Sequence, residues 1–392
     1  MMVVLFVMFA LVGAFLFLAT SARLINERYH ENAAALYLAE AGVDYAIWEI
    51  NYGGADFSGW TGNPAIEVTK AINNIQDADG NIYGNISVSV YNFGQEIVTV
   101  RSTGSFSSLT GPQVSRTVQA FLKKHHISNY AILTQQSISV GGNTTIDSYL
   151  GAFPDRSNGD LVTNSSATPA ITTTGNACSI SGAGITGPGG TISDQHDKIA
   201  IEDDNAEVYI PPVDNDFTGL ASEGSINTSY EITGDHKYDS LTLSSTDKVT
   251  LDCASGAVNA YFTGDISLSG KAEIEVLNSD SSSDRIANVY FDGDISISAN
   301  NNKVNTSTKD PSNLVFYGKN TGSQSVNLTG GEIYGIFYAP SADFSISGNP
   351  DIYGSITAKT VDVSGTAEIH FDEELKDKSP AKGYDPYCWE EK

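Results

Sequence analysis

The sequence predicts a mainly β protein with a long N-terminal α-helix, followed by a small antiparallel sheet and then a β-solenoid (β-helix) domain. Three observations support this. The first fifty residues hold an apolar and then amphipathic pattern with no proline before Pro64. Residues 82 to 122 switch to alternation of period two. From about Ile127 a short motif of alternating aliphatics closed by glycine recurs. These periods separate helix, half-buried strand and stacked repeat.

The helix comes first. Met1 to Ala22 contains no charged residue. At about 1.5 Å per residue the run reaches roughly 33 Å, enough for a bilayer core. A cleavable signal peptide is the competing reading, but there is no basic leading segment and the helical pattern continues without a break. Ile25, Tyr29, Leu36, Val43, Ile47 and Ile50 fall at three- and four-residue steps, with Ala33 and Ala39 between them, as one stripe of an amphipathic helix. Asn51-Tyr52-Gly53-Gly54 ends it. Residues 1–22 are thus expected as a transmembrane segment in contact with lipid, and residues 23–126 as the rest of the helix with its sheet.

The segment Leu36-Tyr37-Leu38-Ala39-Glu40-Ala41-Gly42-Val43-Asp44-Tyr45-Ala46 resembles the N-terminus of PilX-type minor pilins. The resemblance covers residues 1 to about 50. It implies a helix that packs into a filament core, with other pilin-like subunits and a pilus assembly machinery as partners. It also implies a single-pass cell-membrane localisation with the larger part outside. Arg23 and Arg28 follow the apolar run, so the positive-inside rule alone points the other way, and the resemblance decides the orientation. Ala39, Glu40, Ala41 and Gly42 are the expected packing and assembly residues, because small side chains permit close approach between elements. No Asp or Glu precedes Glu27, and the short basic leader of the family is not seen before the apolar run. The missing early acid favours a minor, rare subunit over a shaft subunit.

The sheet follows. Ile86-Ser87-Val88-Ser89-Val90, Ile97 to Gly104 and Ser115 to Phe121 alternate and read as antiparallel strands. After the helix they resemble the pilin globular head. Asp77-Ala78-Asp79-Gly80-Asn81 has the start of a calcium loop, but position twelve is Val88 where a glutamate is needed, so a turn is the expectation. Lys123-Lys124-His125-His126 is read as a solvated linker.

The repeats occupy residues 127–375. The copies are Ile138-Ser139-Val140-Gly141, Ile266 to Gly270, Ile295 to Ala299, Val326 to Gly330, Phe344 to Gly348 and Val361 to Gly365. The last three glycines lie 18 and 17 residues apart. Each copy is too short to bury its own apolar face, so copies must stack. A β-sandwich is the alternative. Residues 154–225, rich in Pro, Gly and Asp, are expected as an insertion, and 376–392 as a polar tail. Residues 313 to 375 resemble the β-helical domain that follows PilX-type N-termini.

Composition limits the chemistry. Lys and Arg total 21 against 47 Asp and Glu, a net charge of −26, which excludes a nucleic-acid partner. Cys178, Cys253 and Cys388 form no C-x-x-C pair, so no metal or other cofactor is expected from them. Cys178 with Cys253 can form one disulfide, and three unpaired thiols is the other reading. Gly182 to Gly187 matches G-x-G-x-x-G, but Pro188-Gly189-Gly190 follows and denies it a helix N-terminus for phosphate. Asp292 and Asp294 could serve acid–base work in a carbohydrate-active β-helix enzyme. However, Gly264-Asp265 and Gly293-Asp294 recur like turn residues, and no enzyme is expected. The expectation is therefore a structural minor pilin-like subunit. A surface adhesin or glycan-binding module is the alternative.

Overall fold

The computed structural model describes residues 2–51, 57–76, 82–106, 112–151, 153–199, 201–203, 207–213, 217–280, 285–319 and 322–392. Two compact units emerge: Met1–His125 with Ala381–Lys392, and His126–Pro380.

The first unit is a helix on an antiparallel sheet. Helix α1 runs Met2–Asn51. Strands β1 (Thr61–Asn63), β2 (Glu67–Gln76), β3 (Ile82–Tyr91), β4 (Ile97–Phe106) and β5 (Val114–His126) lie side by side in chain order. The C-terminal strand Ala381–Glu391 closes the sheet beside β5. Adjacent strands from β1 to β5 run antiparallel. Period-two alternation puts Val88, Val90, Val98, Val100, Ala120 and Leu122 on one buried face. Leu38, Ala39, Val43, Ala46 and Ile50 of α1 cover that face at helical spacing.

The second unit is a 24-stranded, mostly parallel sheet in which most strands pair with the third strand along the chain. Within each short strand, residues two apart point inward. Ile266 and Leu268, Ile295 and Ile297, and Val326 and Leu328 are buried, while Ser267, Ser296 and Asn327 between them are partly exposed. Glycines let the corners stack. Gly348, Gly365 and Gly142 hold φ of 70°, 81° and 70°, a left-handed region that side chains disfavour. A Cβ on Gly365 would lie 2.4 Å from Gly348 O, and one on Gly142 2.3 Å from Gly365 O.

The expected fold class needs correction. The protein is mainly β with one N-terminal helix, but its bulk is one large sheet, not a solenoid of regular repeats stacked in chain order. Along one ladder Leu241, Ile266, Ile295, Val326, Phe344 and Val361 are successive partners, at steps of 25, 29, 31, 18 and 17 residues. The next partner of Val361 is Ile138, from the beginning of the unit. The connections between ladders vary in length, so the 17–18 spacing belongs only to the last steps. The unit also contains an antiparallel pairing, Thr145–Leu150 with Phe153–Arg156.

Other expectations change with it. Residues 154–225 are not a loop insertion, since Leu161–Thr163, Ile171–Thr173 and Ile192–Asp194 join the ladders. The expected polar tail is largely the strand Ala381–Glu391, where Arg116 meets Glu391 at 3.2 Å. His125 and His126 are buried rather than solvated: His125 pairs with Asp385, and His126 Nδ1 lies 2.6 Å from Ser379 O. The Cys178–Cys253 disulfide is not formed. Both thiols are free and buried, and Cys178 Sγ donates to Gly175 O at 3.0 Å. The Asp77–Asn81 segment lies outside the described residues.

The transmembrane segment and the single-pass membrane localisation are corrected too. Among the described residues, no helix is long and apolar enough to cross a membrane.

Candidate functional site

Helix α1 divides into two parts with different surroundings. From Ala34 to Ile50 it packs on β3 and β4. Of the four expected packing residues, Ala39 and Gly42 lie buried in this contact, Glu40 is half-buried and Ala41 faces solvent. A Cβ on Gly42 would sit 2.2 Å from Ser102 Oγ and 2.5 Å from Ile86 Cγ2. Across the contact Gly104 is tighter, because a Cβ there would lie 2.2 Å from Ala35 O and 2.4 Å from Ala39 N. Gly104 was missed as a contact residue, although the helix needs a glycine on each side to approach this closely.

Over residues 15–20 the helix is exposed. Phe15, Leu16, Phe17 and Leu18 are 74%, 61%, 72% and 65% exposed. Four consecutive residues at about 100° steps occupy every side of a helix, so no face of this turn is polar. Leu24, Ile25 and Tyr29 continue the exposed apolar surface beside the Arg23–Glu27 ion pair of 2.8 Å.

A second cluster lies in the larger unit. Glu368 and His370 alternate on the strand Glu368–Asp372 and share a face. Asp351 is the register partner of Glu368, and Asp147 and Tyr353 are those of His370. His370 Nδ1 lies 2.6 Å from Asp147 Oδ1. His370 Nε2 lies 3.4 Å from Asp351 Oδ1 and 3.4 Å from Glu368 Oε2. The Tyr353 ring stacks on the imidazole at 4.8 Å, and Tyr334 stacks on Tyr353 at 4.4 Å. Burial disfavours the imidazolium, but the Asp147 hydrogen bond and the Asp351 carboxylate outweigh it and raise the His370 pKa to about 10. Sequence reasoning missed this cluster. Its local signal was the Glu-x-His alternation, and its other members are more than two hundred residues away or on another strand.

The acid pair weighed for catalysis is used structurally. Asp294 N–H donates to Asp265 Oδ1 at 2.9 Å, Asp294 Oδ1 accepts from Ser325 N at 2.7 Å, and Tyr261 donates to Asp292. These bonds tie successive turns together.

Residues 179–378, just over half of the chain, match the family described as a domain of unknown function (DUF7305). The chain belongs to that family. The matched span excludes residues 1–50, on which the PilX-type resemblance rests. No curated protein matches. The crystal structure of competence-associated pilin ComZ from Thermus thermophilus is 14% identical, with 92% of this chain and 97% of that chain covered and a TM-score of 0.25. At that score the similarity carries no argument about fold or role.

Proposed function

We propose that the protein is a structural, pilin-like subunit whose exposed N-terminal helix packs among the equivalent helices of other subunits in a filament. The observation that carries this reading is the turn at residues 15–18, apolar on every side and uncovered. A helix apolar all round is stable only when surrounded. Burying four Phe and Leu side chains is worth about 1.5–3 kcal/mol each. The role needs no catalytic group.

A rare position, at a filament tip or in an initiating complex, suits the chain better than a shaft position. The unit His126–Pro380 is a large appendage to repeat at every subunit, and the chain's charge of −26 would set neighbours against each other.

The test is assembly of the full chain with and without Phe17→Glu and Leu18→Glu, followed by sedimentation and electron microscopy. The wild type should form larger species and the double variant should stay monomeric with an unchanged circular dichroism spectrum. Equal assembly of the two would overturn the proposal. Antibody against the larger unit should decorate filament ends; regular decoration along the shaft would refute the rare position.

A further inference from the structure

We propose that Asp351, Glu368 and His370 form a binding site for a divalent transition-metal cation, with Asp147 as a positioning residue that orients the imidazole. Zn²⁺ is the best-fitting ion. The site is independent of the filament reading.

The first argument is charge. Asp351 and Glu368 are neighbours in register on adjacent parallel strands, where like charges repel. Asp147 brings a third carboxylate to the other side of the same imidazole. One proton on His370 leaves two negative charges uncompensated. A divalent ion on a neutral imidazole leaves one.

The second argument is geometry. A Zn²⁺ ion bound at about 2.0–2.1 Å to nitrogen and oxygen sets tetrahedral ligand–ligand edges of about 3.4 Å. The two Nε2-to-oxygen distances are 3.4 Å each. All three ligand atoms lie within 4.8 Å of one another. The remaining edge closes by rotation of Glu368, whose side chain is half-exposed.

The third argument is preparation of the ligands. Asp147 accepts from Nδ1–H and turns Nε2 toward the two acids, so a metal that replaces the Nε2 proton meets an imidazole already oriented, the outer-shell arrangement usual for metal-binding histidines. The Tyr353 ring holds the imidazole plane. Asp351 Oδ1 faces the same centre, 3.4 Å from His370 Nε2. One imidazole with carboxylates suits Zn²⁺ and its first-row neighbours; calcium and magnesium prefer all-oxygen sets.

The experiment is calorimetric titration of tag-free, full-length protein with ZnCl₂ alone. It is done in a Cys388→Ser background, because that thiol is exposed and would compete. The expected result is one saturable equivalent. His370→Gln and Glu368→Gln should each weaken it at least tenfold, and Asp147→Asn, which touches no metal, about 10–100-fold. Glu368→Gln keeps the proposal testable if a His370 variant fails to fold, since Glu368 is largely in solvent. Absence of saturable uptake by the parent would show an ion-pair cluster only and overturn the proposal. Unchanged affinity in Glu368→Gln and His370→Gln would overturn it equally.

Discussion

Replacing Gly104 by alanine should loosen α1 from its sheet. The new Cβ would stand 2.2 Å from Ala35 O, 2.4 Å from Ala39 N and 2.7 Å from Leu38 Cβ. Two of these are helix backbone atoms, which cannot rotate aside. The helix must retreat by about 1 Å to restore van der Waals separation, and Leu38, Ala39, Val43 and Ala46 lose contact with the sheet together. Overpacking of this kind costs about 1–3 kcal/mol, and the rigid neighbours place Gly104→Ala at the upper end. Gly42→Ala is the informative comparison. Its Cβ meets side-chain atoms of Ser102 and Ile86, which can adjust, and a mid-helix Gly→Ala change returns about 1 kcal/mol of helix propensity. The three tryptophans, Trp48, Trp60 and Trp389, all belong to the smaller unit, and in a Trp389→Phe background the fluorescence of Trp48 and Trp60 in urea reports the helix and its sheet rather than the C-terminal strand. With an m-value of about 2 kcal/mol/M, the Gly104→Ala midpoint should fall by about 1 M or more, and Gly42→Ala by clearly less. An unchanged Gly104→Ala midpoint, or the reverse order of the two variants, would refute the close-approach argument.

Further outcomes follow from burial. In the native protein a maleimide should label Cys388 only, and denaturant should expose all three thiols; Cys178 and Cys253 are buried, and burial pushes the Cys253 pKa up to about 11. Labelling of two or more thiols in the native state would contradict this. Phe316→Ala should lower the unfolding free energy of the larger unit by about 3–5 kcal/mol, read by far-ultraviolet circular dichroism in urea, because the fully buried ring stacks on Phe337 at 4.8 Å. A change below 1 kcal/mol would mean that the stack contributes little.

Much of the local structure could be read from residue order, and the long-range structure could not. Ile138, Ile266, Ile295, Val326, Phe344 and Val361 each open a strand segment of one ladder, because alternation within five residues is a local property. Strands of the neighbouring ladders show the alternation less clearly. Tyr290 and Phe291, for example, sit in Ala287–Phe291, where three consecutive buried residues mask the alternation. Stacking Ile138 on Val361 brings together residues 223 positions apart, and no local pattern encodes that choice. The His370 cluster depends on the same long-range stacking, since Asp147 reaches the imidazole only when Thr145–Leu150 pairs with Glu368–Asp372. The helix contact was half legible. Small residues at Ala39 and Gly42 signalled close approach, while the complementary Gly104 looked like an ordinary strand residue.

The larger unit is an insertion between two paired strands of the smaller one, and this has a thermodynamic consequence. The chain leaves β5 at His126 and returns at Ala381 to the strand beside it. Arg116 with Glu391, Phe121 with Tyr387 and His125 with Asp385 show the two strands running in opposite directions, as in a hairpin. Within the larger unit, Ile127 N–H donates to Pro380 O at 3.1 Å, so its two ends are held together when it is folded. Folded, it acts as a short turn; unfolded, it becomes a 255-residue loop. Closing a loop of that length rather than one of about four residues costs about 4 kcal/mol more at a 3/2 RT ln n dependence. Replacing residues 127–380 with an Asn-Gly turn should therefore give a folded helix-and-sheet domain whose C-terminal strand keeps native amide-exchange protection. In full-length Phe316→Ala, the same strand should lose protection once urea has unfolded the larger unit. A strand that stays equally protected after that unfolding would refute the coupling. An excised chain that fails to fold would show that the smaller unit's core is insufficient without its insertion.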